Sequence, residues 1–315
     1  MNALLKTTAI VLEKPENICL SELDLIPATT DDIIVEVEWS GISTGTEKLL
    51  WTGQMPSFPG MGYPLVPGYE SVGRVIQADD QQRFALGQRV FIPGSSCFVA
   101  VRGLFGGAAS RLIVPAKRAV AVAENVGEEV ILYALAATAY HVTAGLGNEQ
   151  PDLIVGHGVL GRLLARLAVL AGKQPVVWEI DAQRREGAVG YQVVDPQTCA
   201  AAKYKTIVDV SGDAKLLDNL VSHLAPGGEI VLAGFYDTIT FAFPAAFMRE
   251  ARIRIAAQWQ PSDLTAIHQL VESGNLSLAD LITHRASPQD AAEAYRTAFH
   301  HKDCLKMVLD WRTRQ

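Results

Sequence analysis

Residues Asp152 to Leu170 read DLIVGHGVLGRLLARLAVL, and no other stretch constrains the fold as tightly. Leu153, Ile154 and Val155 are a short apolar run of the kind that makes a buried parallel strand. Gly156, Gly158 and Gly161 then set a G-x-G-x-x-G turn around His157, Val159 and Leu160, and apolar residues continue from Arg162 for two helical turns. Strand, glycine turn and helix in this order hold a dinucleotide. Gly156 permits the tight turn, Gly158 lets the backbone approach a pyrophosphate, and Gly161 lets the helix lie close on the strand. The helix N-terminus carries about half a positive charge and free N–H groups, which suit phosphates. His157 is read either as touching a phosphate or as an exposed bystander in the loop.

The context after the loop sharpens this. Ala171-Gly172-Lys173 closes the helix, and Gln174 to Trp178 reads as the next strand. Glu179 and Asp181 follow, near the place where an acidic side chain bonds the ribose 2′-hydroxyl and repels a 2′-phosphate. Glu179, nearer the strand end, is the favoured residue, and it selects NAD. Arg184 and Arg185 pull the other way, because arginines there accept a 2′-phosphate. A nucleotide-free helix–sheet unit with glycines kept for packing is the alternative.

A chain of 315 residues fits about two domains. With 49% hydrophobic and 19% charged residues it builds a large core and is not a disordered chain. A formal net charge of −7 and the lack of a basic stripe argue against a nucleic-acid binder. No signal peptide and no apolar run of membrane-spanning length is visible, so the expected compartment is the cytoplasm. Cys19, Cys97, Cys199 and Cys304 are far apart and form no C-x-x-C pair.

The expected fold class is α/β in two parts. Residues 1–123 read as a β-rich, partly open barrel with long Gly/Pro loops. Thr7 to Leu12, Ile18 to Leu25, Ile33 to Ser40, Val72 to Ile76 and Arg89 to Ile92 are its strands. Residues 124–260 read as a doubly wound parallel sheet, preceded by a helix over Val130 to Ala144. Strands are expected near 153–155, 175–179, 192–194, 206–210, 229–233 and 252–257. Residues 261–315 return to the first part, with helices at Asp263 to Ser273 and Pro288 to Phe299 and a strand at Lys306 to Leu309.

Several motifs carry a resemblance along nearly the whole chain. Pro67 to Gly73 (PGYESVG) is similar to the G-H-E-x-x-G signature of the medium-chain dehydrogenase/reductase superfamily. Leu86 to Val90 is similar to its G-D-R-V turn, Gly106 to Ser110 followed by Leu112 to Pro115 to its G-x-x-A-E-Y strand, and Ala137 to Tyr140 to the segment before its nucleotide fold. The resemblance implies a GroES-like catalytic domain joined to a Rossmann domain. It implies Thr138, Ser211 and Gly234 as further cofactor-binding residues beside the loop, Glu179, Asp181 and Arg184. Ser40 to Glu47, Trp51 to Gly62 and Tyr63 to Gly73 look more closely like members that oxidise a hydroxyethyl side chain on a chlorin-type macrocycle to acetyl, using NAD.

The zinc-dependent branch of that superfamily has metal ligands where this chain has Ser43, Tyr69 and, counting back from Thr138, Ala134. Only the neighbouring Glu70 remains, and zinc needs thiolate, imidazole or carboxylate donors. The four-cysteine lobe is replaced by Gly94 to Gly106, with Cys97 alone. No metal is expected. Tyr69 is then the candidate proton acceptor or orienter, or else a side chain filling the vacated space. Ser43, Thr44 and Thr46 are candidates to bond the substrate hydroxyl or pass its proton, or else turn residues. Glu70 orients Tyr69, takes the proton itself, or pairs with an arginine of the nucleotide domain.

A macrocycle needs a broad apolar slot. Trp51, Met55, Phe58, Met61 and Tyr63 crowd one Gly/Pro-rich loop, read as a substrate wall or lid, with packing against another domain or subunit as the alternative. Phe235 and Trp259 are later substrate candidates, among aromatics that include Phe241, Phe243 and Phe247. The resemblance makes this later region a subunit contact, so a homodimer is expected. The rival functions are a zinc-free quinone or enoyl reductase preferring NADPH, and a non-catalytic protein that binds nucleotide or pigment.

Overall fold

The computed structural model describes residues 4–80, 83–147, 149–199 and 202–312. They form two compact units, Met1–Ala134 with Ala279–Gln315, and Leu135–Leu278. Both divisions fall later in the chain than the expected 123/124 and 260/261. The helix over 261–272 belongs to the second unit, where Asp263 accepts from His141 Nδ1 at 2.8 Å and caps its own helix by bonding the Gln260 N–H.

The first unit is built from β1 (Lys6–Lys14), β2 (Asn17–Asp24), β3 (Asp32–Ile42), α1 (Thr46–Thr52), β4 (Ser71–Ala78), β5 (Arg89–Ile92), β6 (Arg111–Pro115) and β7 (Val120–Ala121). The second contains α2 (Tyr133–Ala144, its first residues in the first unit), β8 (Leu153–Val155), α3 (Val159–Leu170), β9 (Val176–Trp178), β10 (Gln192–Val194) and β11 (Tyr204–Asp209). It continues with α4 (Leu217–His223), β12 (Leu224–Leu232), α5 (Phe243–Phe247), β13 (Arg252–Ile255) and α6 (Pro261–Glu272). The chain then returns to the first unit through β14 (His284–Ala286), α7 (Ala291–His300) and β15 (Met307–Asp310).

In the first unit β1 and β2 form a hairpin, and the larger sheet runs β14-β15-β3-β4-β5-β7, with β6 also on β3. The alternation in β3 does what its sequence predicts. Ile33, Val35 and Val37 are buried, while Glu36 is exposed. Glu38 accepts from Arg74 at 2.8 Å and from the buried Arg89 at 2.9 Å. β15 pairs antiparallel to the end of β3, Met307 opposite Ile42 and Val308 opposite Gly41. That register brings the return segment to the place where β3 ends, and so places Lys306 beside the residues that follow Ile42.

In the second unit six parallel strands take the order β10-β9-β8-β11-β12-β13. In chain order this is 3-2-1-4-5-6, and the order reverses beside β8, where Rossmann folds bind their ligand. Leu153, Ile154, Ile207, Val208, Ile230 and Val231 are all fully buried, which explains strands without alternation.

Three elements depart from expectation. The segment after Gly45 is a helix, α1, where a loop was read. Gly53 ends it in a left-handed turn (φ 73°) that donates its N–H to the last carbonyls. The expected helix over Val130 to Ala144 is split into a 3₁₀ segment, Glu128–Leu132, and α2. β12 starts at Leu224 and meets β11 with a register shift. Among the described residues no helix is long and apolar enough to cross a membrane.

Candidate active site and cofactor loop

β3 ends at Ile42 and α1 begins at Thr46, so Ser43 sits in the short turn between a strand and a helix. Tyr69 and Glu70 lie just before β4, which pairs with β3. The two segments meet: Ser43 Oγ is 2.6 Å from Tyr69 Oη, with Thr46 as a second hydrogen-bond partner of the phenol. Tyr69 is half-buried, its ring edge on Phe105 at 5.3 Å between centroids. Burial, and then the charge of Glu70, push its phenol above the ordinary tyrosine range. Thr44 is exposed beside them.

Glu70 is fully buried and pairs with Lys306 Nζ through Oε2. The expected arginine of the nucleotide domain is not its partner, because the register of β15 on β3 brings the lysine there instead. Burial raises the Glu70 carboxyl, and Lys306 opposes the rise. Oε1 of Glu70 is buried without a hydrogen-bond partner among the described residues. Gly41 makes the pair possible. A Cβ there would collide with Glu70 Oε2 and crowd Lys306 Cε at 3.0 Å.

Beneath Ser43 lies a carboxylate that sequence reasoning missed. Glu47, on the first turn of α1 and 1% exposed, accepts the Ser43 N–H on Oε1 at 3.0 Å. Its Oε2 accepts the Tyr295 hydroxyl from α7 at 2.8 Å. Burial pushes the Glu47 carboxyl up to about 7, with both hydrogen bonds holding it down. Glu47 ends the Ser40–Glu47 segment, but nothing local in the sequence marks it as buried. Tyr295 and Lys306 lie more than 230 residues from their partners and gave no signal at all.

Zinc does not fit the donors present. Ser43 offers a hydroxyl, Tyr69 a phenol held in its neutral form, Ala134 a methyl, and Glu70 is committed to Lys306. Among the described residues no group of three or more His, Cys, Asp or Glu stands close enough to hold a metal ion.

In the second unit Gly156 leaves β8 in a left-handed conformation (φ 101°), and α3 starts at Val159 with no side chain capping its first turn. A Cβ at Gly161 would overlap the Gly156 carbonyl oxygen, so only glycine allows this approach of helix to strand. These are the features a pyrophosphate cradle needs. A Cβ at Gly156 would meet the Ser211 backbone at 3.4 Å, and one at Gly234 the Gly212 nitrogen at 3.1 Å. The turns after β8, β11 and β12 therefore stand in one row. Ser211 is exposed there, Gly234 backs onto the Tyr236 hydroxyl, and Thr138 lies half-buried within α2. Val159 is buried and Leu160 half-buried.

His157 is neither an exposed bystander nor aimed at a phosphate. It is fully buried, Nδ1 lying 2.6 Å from the Arg184 carbonyl and Nε2 2.8 Å from the Tyr191 hydroxyl. Burial lowers its imidazole to about 4. The Glu179 carboxylate accepts the His157 N–H at 3.0 Å and the Asp181 N–H at 2.9 Å. Asp181 Oδ1 accepts the N–H groups of Gln183 and Arg184. Arg185 donates to the carbonyls of Glu179 and Ile180 and to Asp195. Arg162, right after Gly161, braces the same turn through the carbonyls of His157, Arg184, Gly187 and Glu186.

The aromatic loop is not the exposed wall its composition suggests. Trp51 lies on α1, 8% exposed, with its ring 5.5 Å from Phe299 and 5.6 Å from His300. Met55 is equally buried in the same core, and Tyr63 donates its hydroxyl to the Leu50 carbonyl. Their apolar surface is spent on the return segment and on α1. Phe58 and Phe235 are exposed, and Trp259 is half-buried.

Residues 29–124 match the alcohol dehydrogenase GroES-like domain. The chain is 57% identical to the 2-desacetyl-2-hydroxyethyl bacteriochlorophyllide A dehydrogenase of Cereibacter sphaeroides, across 98% of this chain and 99% of that one. It is 54% identical to the protein of the same name from Rhodobacter capsulatus, across the same shares of both chains. The fold superposes on the solved L-idonate 5-dehydrogenase of Escherichia coli with a TM-score of 0.86, at 18% identity, covering 98% of this chain and 99% of that one. The chain belongs to the 2-desacetyl-2-hydroxyethyl bacteriochlorophyllide A dehydrogenases, oxidoreductases of the medium-chain dehydrogenase/reductase superfamily.

Proposed function

We propose that this chain oxidises the 1-hydroxyethyl side chain of a bacteriochlorophyllide macrocycle to acetyl, with NAD as acceptor and without zinc. The observation that carries the reading is the Ser43–Tyr69 hydroxyl pair at 2.6 Å, in the place where zinc-dependent relatives of the superfamily hold their metal. The substrate class follows from the names of the relatives. When bound, the nicotinamide supplies the hydride acceptor. Gly156, Gly158 and the first turn of α3 would hold its pyrophosphate.

The chain's own task is to hold the hydroxyl and take charge of its proton. A phenol pushed above its usual range is a poor base. That favours Tyr69 as a neutral hydroxyl that, with Ser43, orients the alcohol and bonds the oxygen while its proton passes by way of the Ser43 and Thr46 hydroxyls and the exposed Thr44 to solvent water. One donor aimed at a developing oxyanion contributes about 2.7–4 kcal/mol. An alcohol next to a conjugated ring is benzylic-like, so its ketone is stabilised and the demand on the protein falls.

Glu179 supports NAD over NADP. Its carboxylate is buried at the end of β9, and Arg185 is already bound to carbonyls and Asp195 rather than presented to a 2′-phosphate. Exposed Phe243, Phe247 and Met248, with Ile253 and Ile255 on the edge strand β13, support a homodimer through the second unit. Four cysteines that form no disulfide among the described residues fit a reducing cytoplasm.

The direct test mixes the protein with a hydroxyethyl bacteriochlorophyllide and NAD or NADP, and follows reduced nucleotide together with the pigment spectrum. NADH should form in step with the shift to the acetyl pigment, and NADP should be used poorly. No reduced nucleotide and no spectral shift would sink the reading.

A further inference from the structure

Glu47 is a buried carboxylate to which the reading above gives no part. Taking a carboxylate out of water is costly, and an apolar side chain of similar size would fill the space at less cost. What Glu47 touches suggests why it is there. One oxygen takes the Ser43 N–H, a buried group in the turn between β3 and α1. The other takes the hydroxyl of Tyr295, which is itself buried on α7 with its ring edge-on to Phe299 at 5.6 Å. Fixing the Ser43 N–H fixes the peptide plane before Ser43, and with it the direction in which the Ser43 side chain leaves the backbone. That side chain ends 2.6 Å from Tyr69 Oη.

We propose that Glu47, braced by Tyr295, is a positioning residue that holds the Ser43 backbone so that the Ser43 hydroxyl stays on Tyr69. This rests on the reading of Ser43 and Tyr69 as the alcohol-orienting pair. Glu47 neither touches the alcohol nor exchanges its proton. Its neighbours are consistent with a fixed brace: Tyr295 from α7, Glu70 and Tyr69 from the segment before β4, and Lys306 from the start of β15 all face the same buried region. The carboxylate lies between a helix at one end of the unit's sequence and a helix at the other, so the return segment takes part in setting the site.

The test compares Glu47→Leu, Glu47→Gln and Tyr295→Phe with Tyr69→Phe in the full-length protein. The readouts are kcat and KM for a hydroxyethyl bacteriochlorophyllide, the NAD dissociation constant and the thermal midpoint. Loss of alignment by a fraction of an ångström to an ångström predicts kcat down on the order of 10²-fold in Glu47→Leu, with KM and NAD affinity within about twofold. Glu47→Gln keeps an acceptor for the Ser43 N–H and should recover most of that loss. Tyr295→Phe should lower kcat about threefold to tenfold, and it carries the test if Glu47→Leu does not fold. Wild-type kcat in Tyr295→Phe, together with wild-type kcat in folded Glu47→Leu or with no folded Glu47→Leu to measure, overturns the proposal. So does equal loss in Glu47→Leu and Glu47→Gln, or a lower midpoint and raised KM at unchanged kcat. If Tyr69→Phe is slow while these variants are not, only the brace falls. If Tyr69→Phe turns over normally, the reading beneath it falls as well.

Discussion

At the scale of single residues, burial and the charge of Glu70 hold the Tyr69 phenol in its neutral form. In the mechanism we propose, it supports the oxygen of the alcohol as a neutral hydroxyl rather than stripping its proton as a phenolate. Tyr69→Phe is therefore expected to lower kcat by about 10²–10³-fold with little change in KM, the usual cost of one lost oxyanion donor. Steady-state kinetics on a hydroxyethyl bacteriochlorophyllide check this. Glu47 gives a second prediction at this scale. Its carboxyl is raised from 4.5 to about 7, so the folded chain holds a proton there that the unfolded chain has released. Its contribution is present below about pH 4.5 and lost as pH rises through 7, on the order of 3 kcal/mol in full. Denaturant unfolding of Glu47→Gln across that range should lack this downward trend. Ser43, Tyr69 and Glu70 could be nominated from the sequence because each lies inside a short local motif, and the fold brings Ser43 and Tyr69 together. Glu47 was hidden, since its importance comes from Tyr295, a partner 248 positions away.

Among the elements, the turn from β8 into α3 has little freedom. Gly161→Ala puts a methyl on the Gly156 carbonyl and must push α3 off the strand. NAD affinity, measured by quenching of tryptophan fluorescence, should fall at least tenfold, and an unchanged affinity would contradict the packing described. His157 braces the same turn, and its sign is opposite to that of Glu47. Its imidazole is lowered from 6.5 to about 4, so the unfolded chain takes up a proton first as pH falls. The stability it supports is present above 6.5 and lost between 6.5 and 4, on the order of 3 kcal/mol. Replacing it by Asn should flatten that limb of the unfolding curve. β3 and the six parallel strands were readable because alternation in one case and unbroken apolar runs in the other follow directly from which faces are buried. α1 was not, because the glycines that cap and flank it are the same residues that signal a loop. The burial of Trp51 and Met55 in the aromatic segment was hidden for a related reason. Composition reveals that side chains are apolar, while only the return of α7 places Phe299 and His300 against Trp51.

For the molecule as a whole, Glu47 in one unit and His157 in the other pull the pH dependence of stability in opposite directions over nearly the same range. The wild-type curve should be flatter than either single variant's where the two units unfold together. The larger consequence concerns charge at the candidate site. Where a metal-dependent relative of this superfamily would place a cation, the first unit has a hydroxyl pair backed by a buried Glu70–Lys306 ion pair. The α/β fold with its GroES-like part and parallel sheet was legible in the sequence. The ion pair was not, because it depends on the register of β15 against β3. The central claim is that this chain oxidises its alcohol through Ser43 and Tyr69 without zinc. It is tested most directly by the rate of NADH formation from a hydroxyethyl bacteriochlorophyllide after prolonged treatment with a strong chelator. The account predicts the untreated rate, with no gain when zinc is added back; loss of activity on chelation, restored by zinc, would contradict it.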